Sequence, residues 1–398
     1  MQLTNRQIFQ RHLAIPSKLS QPLEIVKAEG IYIYSDTGEK YIDLVSGVSV
    51  SNVGHVHPKV IKAVTDQLSN YMHLMVYGKY IQSPQVRLTQ KLIQNLPKKL
   101  DSVYLVNSGS EAVEGALKLA KRITGRTRII SFKDAYHGST HGALSVLGNE
   151  EMKNAYRPLL PDVHFFSYNN YEVIDGITDN TACIIMEPVQ TEAGIIIPDK
   201  EWLVAIREKC DETGTILIFD EVQLGFGRSG KLFAFENFDV IPDILCIAKA
   251  MGSGMPIGAF ISSSKNMNSL THNPVLGHIT TFGGHPVSCA ASLAGLNIII
   301  EEKLHILASE LGRLFVDLLA DQPIISEIRQ IGLMLGVEII SPYKVSDLIG
   351  IFQKNGLIVD QFLFNETSFR IAPPLTITVD EIKLIVSKII MSFDEFNN

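Results

Sequence analysis

The segment ILCIAKAMGSGMPIGAF, residues 244–260, contains one permanently charged side chain, that of Lys249. Burial in apolar surroundings lowers the pKa of a lysine, and the neutral amine can then form a Schiff base with a carbonyl group. A lone lysine more often extends its ammonium group to solvent, so the segment alone leaves both interpretations open. The glycines after Lys249 favour the first, because they let a flat ligand approach the backbone.

Two carboxylates end apolar runs elsewhere in the chain, Glu187 in CIIMEPVQ and Asp220 in ILIFDEVQ. In open α/β sheets, ligands bind beyond the carboxyl ends of the strands, so an Asp in this position can face a cationic group. The alternative is an ordinary turn-forming or helix-capping Asp. The same Val-Gln pair two residues after each carboxylate favours a site.

A third motif, SGSEA at residues 108–112, lies between an apparent strand and an apparent helix. Gly109 allows close approach of the backbone, and Ser110 can cap the helix and donate its hydroxyl. Free N–H groups at the start of a helix bind phosphate readily. A plain strand–helix turn with a serine cap explains this motif equally well on its own.

Together, the three motifs point to one cofactor. Pyridoxal phosphate needs a lysine for its aldehyde, an acidic partner for its ring nitrogen and an anion site for its phosphate. The acid keeps the pyridine ring protonated, so that the ring can accept electrons. No other common cofactor explains all three features.

The elements that must position these residues alternate between strands and helices. Apolar runs predict strands at 103–106, 128–132, 182–187, 215–221, 243–249 and 257–262, with helices over 108–125 and 202–214 between them. This alternation predicts an α/β domain with a mostly parallel sheet over about 50–290. One long helix is predicted over 287–321. A smaller α+β unit follows, with strands at 332–339 and 369–374 and a last helix over 380–394.

Composition excludes several classes of protein. The 398 residues carry a net charge of -7, without the basic footprint of a nucleic-acid-binding protein. None of the four cysteines forms a CxxC pair, so we expect reduced structural thiols, no metal site and a cytoplasmic protein. No apolar run reaches the length of about 20 residues that a membrane span needs, and the N-terminus lacks a signal-peptide core.

The motifs resemble those of the class III pyridoxal-phosphate aminotransferases of fold type I, a group that includes ornithine, acetylornithine and 4-aminobutyrate aminotransferases. The resemblance covers about 25–392 and rests on motifs in the family's order: NVGHVHP (52–58), NSGSEAVEGALKLAK (107–121), YHG (136–138), EPVQTEAG (187–194), FDEVQLGFGRSG (219–230), AKAMGSGMPIGAF (248–260), TTFGGHPVSCAA (280–291) and RIAPPL (370–375). It implies an N-terminal segment (1–50) that packs with the small domain, a large cofactor domain (51–295) built on a seven-stranded-type sheet, and a small C-terminal domain (296–398).

The resemblance also implies roles around the cofactor ring. Lys249 would form the Schiff base and act as the acid/base of the proton shift. Asp220 would pair with the pyridinium nitrogen, and Gln223 would reach the ring hydroxyl. Glu187 would support the Asp220 side of the site.

At the other parts of the cofactor, the resemblance implies that Gly109 and Ser110 hold the phosphate. Tyr136 would stack on the ring face, with His137 beside it. Thr281 would contact the phosphate of the neighbouring subunit's cofactor, which implies a homodimer with shared active sites.

For the substrate, Arg370 resembles the arginine that grips a carboxylate with two hydrogen bonds. Glu192 resembles its gate, which neutralises the arginine while an ω-amine is bound and swings away for an α-carboxylate. The alternative for Arg370 is a surface ion pair. Its place inside RIAPPL favours the substrate role.

Three positions depart from the ornithine and acetylornithine relatives. Ser139 stands where they usually have an arginine that grips a distal carboxylate. Val48 stands where ornithine enzymes tend to have a tyrosine, which indicates a wider or more apolar pocket. Thr191 replaces the usual glycine beside the gate. These departures bear on the substrate and leave the core chemistry unaffected.

The resulting hypothesis is an aminotransferase that moves an amino group from an ω-amino or ornithine-type donor to a keto acid such as 2-oxoglutarate or pyruvate. The alternatives are an aminomutase or a decarboxylating transaminase with the same site, and a non-catalytic ligand-binding protein on the same fold. The pair of Arg370 and Glu192 favours a dual-substrate aminotransferase. Retention of Lys249, Asp220 and Gln223 together argues against the non-catalytic alternative.

Overall fold

The computed structural model describes residues 3–16 and 22–397. The strands of this part of the chain are β1 (Ile25–Glu29), β2 (Tyr32–Ser35), β3 (Lys40–Asp43), β4 (Ser102–Val106), β5 (Arg128–Phe132), β6 (Val163–Phe166), β7 (Thr181–Met186), β8 (Ile216–Asp220), β9 (Ile244–Ile247), β10 (Gly258–Ser262), β11 (Ile325–Ile331), β12 (Met334–Ile339), β13 (Leu357–Ile358), β14 (Asp360–Phe362) and β15 (Asn365–Ile371). They form three sheets.

Helices cover the sheets and join the strands. They are α1 (Asn5–His12), α2 (Ser46–Ser49), α3 (Pro58–Asn70), α4 (Ser83–Ile93), α5 (Gly109–Thr124), α6 (His141–Val146), α7 (Glu150–Lys153), α8 (Glu172–Gly176), α9 (Lys200–Thr213), α10 (Ser264–Met267), α11 (Pro286–Glu301), α12 (Leu304–Leu319), α13 (Val345–Lys354) and α14 (Val379–Asn397). Among the described residues, no helix is both long and apolar enough to cross a bilayer.

The central sheet has seven strands in the order β4-β10-β9-β8-β7-β5-β6. The pairs from β9 to β6 are parallel, and β10 alone runs antiparallel to its two neighbours. Every residue of β7, β8 and β9 is buried, because helices cover both faces of the sheet. The predicted mostly parallel seven-stranded sheet is therefore confirmed.

The C-terminal unit is an antiparallel sheet, β11-β12-β15-β14, packed against α12, α13 and α14. The N-terminal strands β1, β2 and β3 form the third sheet with β13, which pairs parallel to β3. The N-terminal segment is thus joined to the C-terminal unit by backbone hydrogen bonds. The domain limits at 50 and 295 stay predictions.

The single long helix predicted over 287–321 is wrong, because the chain forms two helices, α11 and α12. Lys303 lies between them with a φ of 54°, a left-handed conformation that a helix cannot continue through. The two helices also have different neighbours: α11 packs on α3 and α4, whereas α12 packs on α14 and β11. Strand β11, which follows α12, was not predicted.

Candidate active site

A cavity of about 450 Å³ opens at the carboxyl ends of the central strands. Eight predicted site residues line it: Gly109, Ser110, Tyr136, His137, Glu187, Asp220, Gln223 and Lys249. They come from five separate segments of the chain. The sheet therefore brings together the lysine, the carboxylates and the helix start that were singled out in the sequence.

Lys249 lies two residues after the end of β9, with Ala248 between them. Its φ of 49° lies in the left-handed region, where few non-glycine residues are found, and such strained residues cluster at functional sites. The amine donates to Gln223 Oε1 at 2.7 Å. Burial lowers the pKa of Lys249, against the opposing charge of Glu192. The interpretation of Lys249 as a solvent-seeking side chain is therefore not supported.

Asp220, the last residue of β8, is 6% exposed. Its Oδ2 lies 2.8 Å from His137 Nδ1, and its Oδ1 accepts a hydrogen bond from the Val222 N–H at 3.0 Å. Asp220 therefore forms a turn and also lines the cavity, so the two interpretations do not exclude each other. His137 Nε2 is buried without a hydrogen-bond partner among the described residues.

Helix α5 begins at Gly109, and its first residues, Gly109 and Ser110, line the cavity. Its cap is Ser108, whose Oγ accepts from the Glu111 N–H at 3.2 Å, so the expectation that Ser110 caps the helix is wrong. Ser110 remains free to face the cavity. Opposite it, Gly138 has a φ of 121°, and a Cβ there would lie 2.1 Å from Ser110 Oγ. This is a cradle that only glycine leaves open.

Glu187 follows β7 and is 5% exposed. Its carboxyl accepts hydrogen bonds from the Tyr136 N–H at 3.1 Å and from the N–H and hydroxyl of Thr191 at 3.0 and 2.6 Å. Burial raises the pKa of Glu187 to about 7. These hydrogen bonds hold the walls of the cavity, and His137 is the hydrogen-bond partner of Asp220. The support of the Asp220 side of the site by Glu187 stays a prediction.

Arg370 and Glu192 form a buried ion pair, with Nη2 2.8 Å from Oε2 and exposures of 2% and 3%. The alternative of a surface ion pair is therefore wrong. Burial acts to raise the pKa of Glu192, but Arg370 and Lys249 outweigh it and hold that pKa below its ordinary value. Nε and Nη1 of Arg370 are buried without a partner in the described chain.

One hydrogen-bonded chain links this ion pair to the lysine. Gln223 accepts from Lys249 through Oε1 and donates to Glu192 Oε1 through Nε2, at 3.1 Å. The lysine amine and the Arg370 guanidinium are thus joined through one amide and one carboxylate. One ligand could therefore place a carbonyl group at Lys249 and a carboxylate group at Arg370.

Five predicted residues are not among those that line the cavity: Arg370 and Glu192, which are joined to it through Gln223, and Ser139, Val48 and Thr281. Ser139 is exposed, and its hydroxyl lies 3.3 Å from the Tyr136 hydroxyl. Val48 lies in α2 with a φ of 62°. Thr281 is exposed beside Tyr77, at 3.5 Å between hydroxyls, next to a second cavity of about 910 Å³.

Sequence reasoning missed several residues that line the cavity: Val50, Asn107, Ser108, Val222, Met255, Pro256 and Ile257. Most adjoin a motif that was recognised, so proximity to the motif was the available signal. Asn107 precedes SGSEA, and its backbone and side-chain N–H groups both donate to Glu111 at 2.8 Å. It therefore helps to fix the start of α5.

Residues 15–393 match the sequence model of the family described as aminotransferase class-III. The chain is 41% identical to an acetylornithine aminotransferase of Methanopyrus kandleri, over 80% of this chain and 81% of that protein. It is 36% identical to a [LysW]-aminoadipate semialdehyde/glutamate semialdehyde transaminase of Sulfolobus acidocaldarius, over 91% and 92%. Among solved structures, the ornithine aminotransferase of Toxoplasma gondii superposes with a TM-score of 0.90 at 28% identity, over 99% and 96% of the two chains.

Proposed function

Because the chain belongs to the class III aminotransferases, which are pyridoxal-phosphate-dependent enzymes, we propose that it transfers an amino group from an ω-amino or ornithine-type donor to a keto acid such as 2-oxoglutarate. One observation carries this proposal: Lys249 is linked through Gln223 to the buried pair of Arg370 and Glu192. An aminotransferase must bind two ligands in turn at one lysine. If the ion pair of Arg370 and Glu192 separates, the same pocket has two forms, one with the arginine neutralised and one with it free to bind a carboxylate.

The residues around the cavity fit the cofactor. Lys249 would bind its aldehyde carbon, and Asp220, fixed by His137, would face its ring nitrogen. Gly109 and Ser110, at the start of α5, would receive the phosphate in the space that Gly138 leaves open. Tyr136 would lie on one face of the ring, and Gln223 would reach its hydroxyl. His137 Nε2 is buried without a hydrogen-bond partner in the described chain, which is consistent with a bound polar ligand in this cavity.

The chemistry is divided between cofactor and chain. Pyridoxal phosphate, when bound, takes up the amino group and spreads the electron pair that remains when the donor carbon loses its proton. Lys249 would be the group that takes up and returns this proton. Burial favours the neutral amine that this step requires. The Asp220 carboxylate would stabilise a protonated ring nitrogen in the bound cofactor.

Arg370 would bind the carboxylate of the keto acid, and Glu192 would shield the arginine when the donor presents an ω-amine. The distal part of the donor would lie towards Tyr136 and Ser139. A serine there supplies a hydroxyl in place of a positive charge. Neutral or amine-bearing distal groups suit this end of the pocket better than a second carboxylate.

We also propose a cytoplasmic homodimer with shared active sites. The four cysteines are free and buried, as suits a reducing compartment. Large apolar side chains are exposed around the second cavity, including Ile81 at 94%, Val275 at 72% and Phe282 at 53%. A neighbouring subunit covering this surface would bring Thr281 to its partner's site. The dimer is tested by measuring the molar mass of the protein by light scattering as it elutes from a size-exclusion column.

The function is tested by incubating the purified holoenzyme with a panel of donors and acceptors. The donors are ornithine, N-acetylornithine, lysine, 4-aminobutyrate and simple amines, each paired with 2-oxoglutarate or pyruvate. We expect transfer with at least one ω-amino or ornithine-type donor and its loss in Lys249→Ala, since no other group supplies the proton transfer. Lys265→Ala, an exposed lysine on α10, is the matched control and should behave as wild type.

Several outcomes would contradict the proposal. An isomerised product formed without any acceptor indicates an aminomutase, and release of carbon dioxide indicates a decarboxylating transaminase. Undiminished turnover in Lys249→Ala contradicts the role of the lysine. Failure of every donor to bleach the yellow holoenzyme supports a non-catalytic ligand-binding protein.

A further inference from the structure

The carboxyl group of Glu187 joins two walls of the cavity. One oxygen accepts from the N–H of Tyr136, which lies on the wall after β5. The other accepts from the backbone and the hydroxyl of Thr191, which begins the loop that carries Glu192. The hydroxyl contact, at 2.6 Å, is the shortest of the three. Thr191 itself is 1% exposed, so solvent cannot replace its hydroxyl.

The loop that follows Thr191 also has contacts with the C-terminal unit. The backbone carbonyl of Glu192 accepts from the Phe364 N–H at 3.0 Å, and its carboxylate accepts from the Leu363 N–H at 3.1 Å. Arg329 donates to the Gly194 carbonyl at 2.5 Å. On the side of the central sheet, the contact of Thr191 with Glu187 sets where the loop starts.

A hydroxyl suits a carboxyl that changes its protonation state in place. It donates to a carboxylate and accepts from a protonated acid, whereas a backbone N–H can only donate. Burial raises the pKa of Glu187 to about 7, so both forms occur near neutral pH. The titratable groups that face it are His137, Asp220, Lys249 and Tyr168.

We propose that Thr191 is a positioning residue for the transamination proposed above: its hydroxyl keeps Glu187 hydrogen-bonded in both protonation states, and so holds Tyr136 and the Glu192 loop in place across neutral pH. The inference rests on the proposed function, because positioning matters only if the site transfers amino groups. Its test needs bound cofactor but no turnover. A glycine at this position would leave only the backbone N–H, and Glu187 would lose its one reversible partner.

The test compares Thr191→Val, which keeps the shape and removes the hydroxyl, with Thr191→Ser, which keeps the hydroxyl. The readout is the pH dependence of the absorbance of bound cofactor, because Glu187 lines the cofactor cavity. We expect the Val variant to move the Glu187 transition to higher pH by about one unit, since the hydroxyl bonds the charged carboxylate more strongly than the neutral acid and this preference is lost. The Ser variant should keep the wild-type midpoint.

A further variant assigns the transition. In Glu187→Gln the transition should disappear, and adding Thr191→Val to that background should cause no further shift. A wild-type midpoint in Thr191→Val, equal midpoints in the Val and Ser variants, or a transition that persists in Glu187→Gln would each overturn the inference.

The melting temperature of the cofactor-free variants separates this role from a structural one. A fall of melting temperature in Thr191→Val with an unmoved pH midpoint identifies Thr191 as merely structural and overturns the inference. If the wild-type holoenzyme transfers no amino group from any donor, the proposed function fails, but the absorbance titration still decides the role of Thr191.

Discussion

At the scale of single residues, the buried pair of Arg370 and Glu192 beside the cavity is costly to desolvate. Taking each charge out of water costs several kcal/mol, and only their mutual attraction and further hydrogen bonds offset it. Glu192 makes such bonds to Gln223 and Leu363, but two nitrogens of Arg370 have no partner in the described chain. An arginine held in this incomplete state fits one that exchanges partners during a catalytic cycle.

We predict that Glu192→Gln changes the two half-reactions in opposite directions. Without the Glu192 carboxylate, Arg370 is open to a substrate carboxylate. The single-turnover transfer of the amino group of glutamate to the cofactor should therefore speed up about tenfold, which corresponds to roughly 1.4 kcal/mol. The half-reaction with an ω-amino donor should slow by a similar factor. Both are measured as the loss of cofactor absorbance in a stopped-flow instrument.

The matched control is Glu366→Gln, which removes an exposed carboxylate on β15, the strand that carries Arg370; Glu366 is paired with Lys344 at 2.8 Å. It should leave both half-reactions unchanged. Equal effects of Glu192→Gln on the two half-reactions would contradict a gating role. A lower melting temperature in Glu192→Gln is expected in any case, because the buried arginine loses its counter-charge.

The individual chemistry of Lys249 and Asp220 was readable from the sequence, because each ends an apolar strand. Their partners were not. His137 is 83 positions from Asp220, and Glu192 is 178 positions from Arg370, so only the folded sheet shows which side chains meet. Local patterns report the strand on which a residue sits. They do not report what faces it.

At the scale of elements, the turns around the cavity adopt conformations that sequence periodicity does not encode. In α2, all four residues have positive φ, between 52° and 62°. Non-glycine residues in this region cost about 1–2 kcal/mol each. Asp43 offsets part of this cost by accepting from the N–H groups of Val45 and Ser46, and the Ser46 hydroxyl donates to the Ala372 carbonyl. The fold thus fixes a strained turn next to Val50, which lines the cavity.

We predict that Gly138→Ala weakens cofactor binding at least about tenfold, because the new Cβ would lie 2.1 Å from Ser110 Oγ and the positive φ of 121° disfavours alanine. Displacement of Ser110 would disturb the start of α5. The measurement is a titration of the cofactor-free protein with pyridoxal phosphate, followed by absorbance.

Gly350→Ala is the control, since Gly350 lies inside α13 with nothing within 4 Å of a built Cβ. Alanine is favoured over glycine in a helix by about 1 kcal/mol, so this variant should bind the cofactor normally and melt no lower than wild type. Equal cofactor affinities in the two variants would show that the cradle at Gly138 does not hold the phosphate.

At the scale of the whole molecule, Arg228 ties three parts of the chain together. The side chain is fully buried and donates to Asn52 Oδ1 and to the backbone carbonyls of Leu333 and Pro373. These partners belong to the segment after α2, to the turn between β11 and β12, and to the segment after β15. One side chain from the loop after β8 thus connects the N-terminal and C-terminal parts to the central sheet.

We predict that Arg228→Met lowers the free energy of unfolding by about 3 kcal/mol or more, because it leaves buried acceptors without donors, each costing about 1–3 kcal/mol. Urea denaturation of the cofactor-free protein measures this change. Arg313→Met, at an exposed position on α12, should change stability by less than about 0.5 kcal/mol. Similar losses in both variants would argue against Arg228 as the connecting residue.

The central strands β7 to β9 followed from the sequence, because they are apolar on both faces, whereas β6 and β11 were not predicted. The junctions between units did not follow from the sequence either. The break at Lys303 lies inside a continuous helix-like pattern, and the pairing of β3 with β13 joins segments more than 300 residues apart. Such junctions depend on contacts such as those of Arg228, to which local sequence gives no signal.

The buried pair of Arg370 and Glu192 has one more consequence. Glu192 occupies Arg370 as a tethered carboxylate whose local concentration is fixed by the fold, so under the proposed function an incoming carboxylic acid would bind by exchange. The exchange lowers the affinity of every such acid by the same factor and therefore cannot rank them. Under the proposed function, discrimination by length or terminal group would fall to other residues, such as Tyr136 in the cavity and Ser139 beside it.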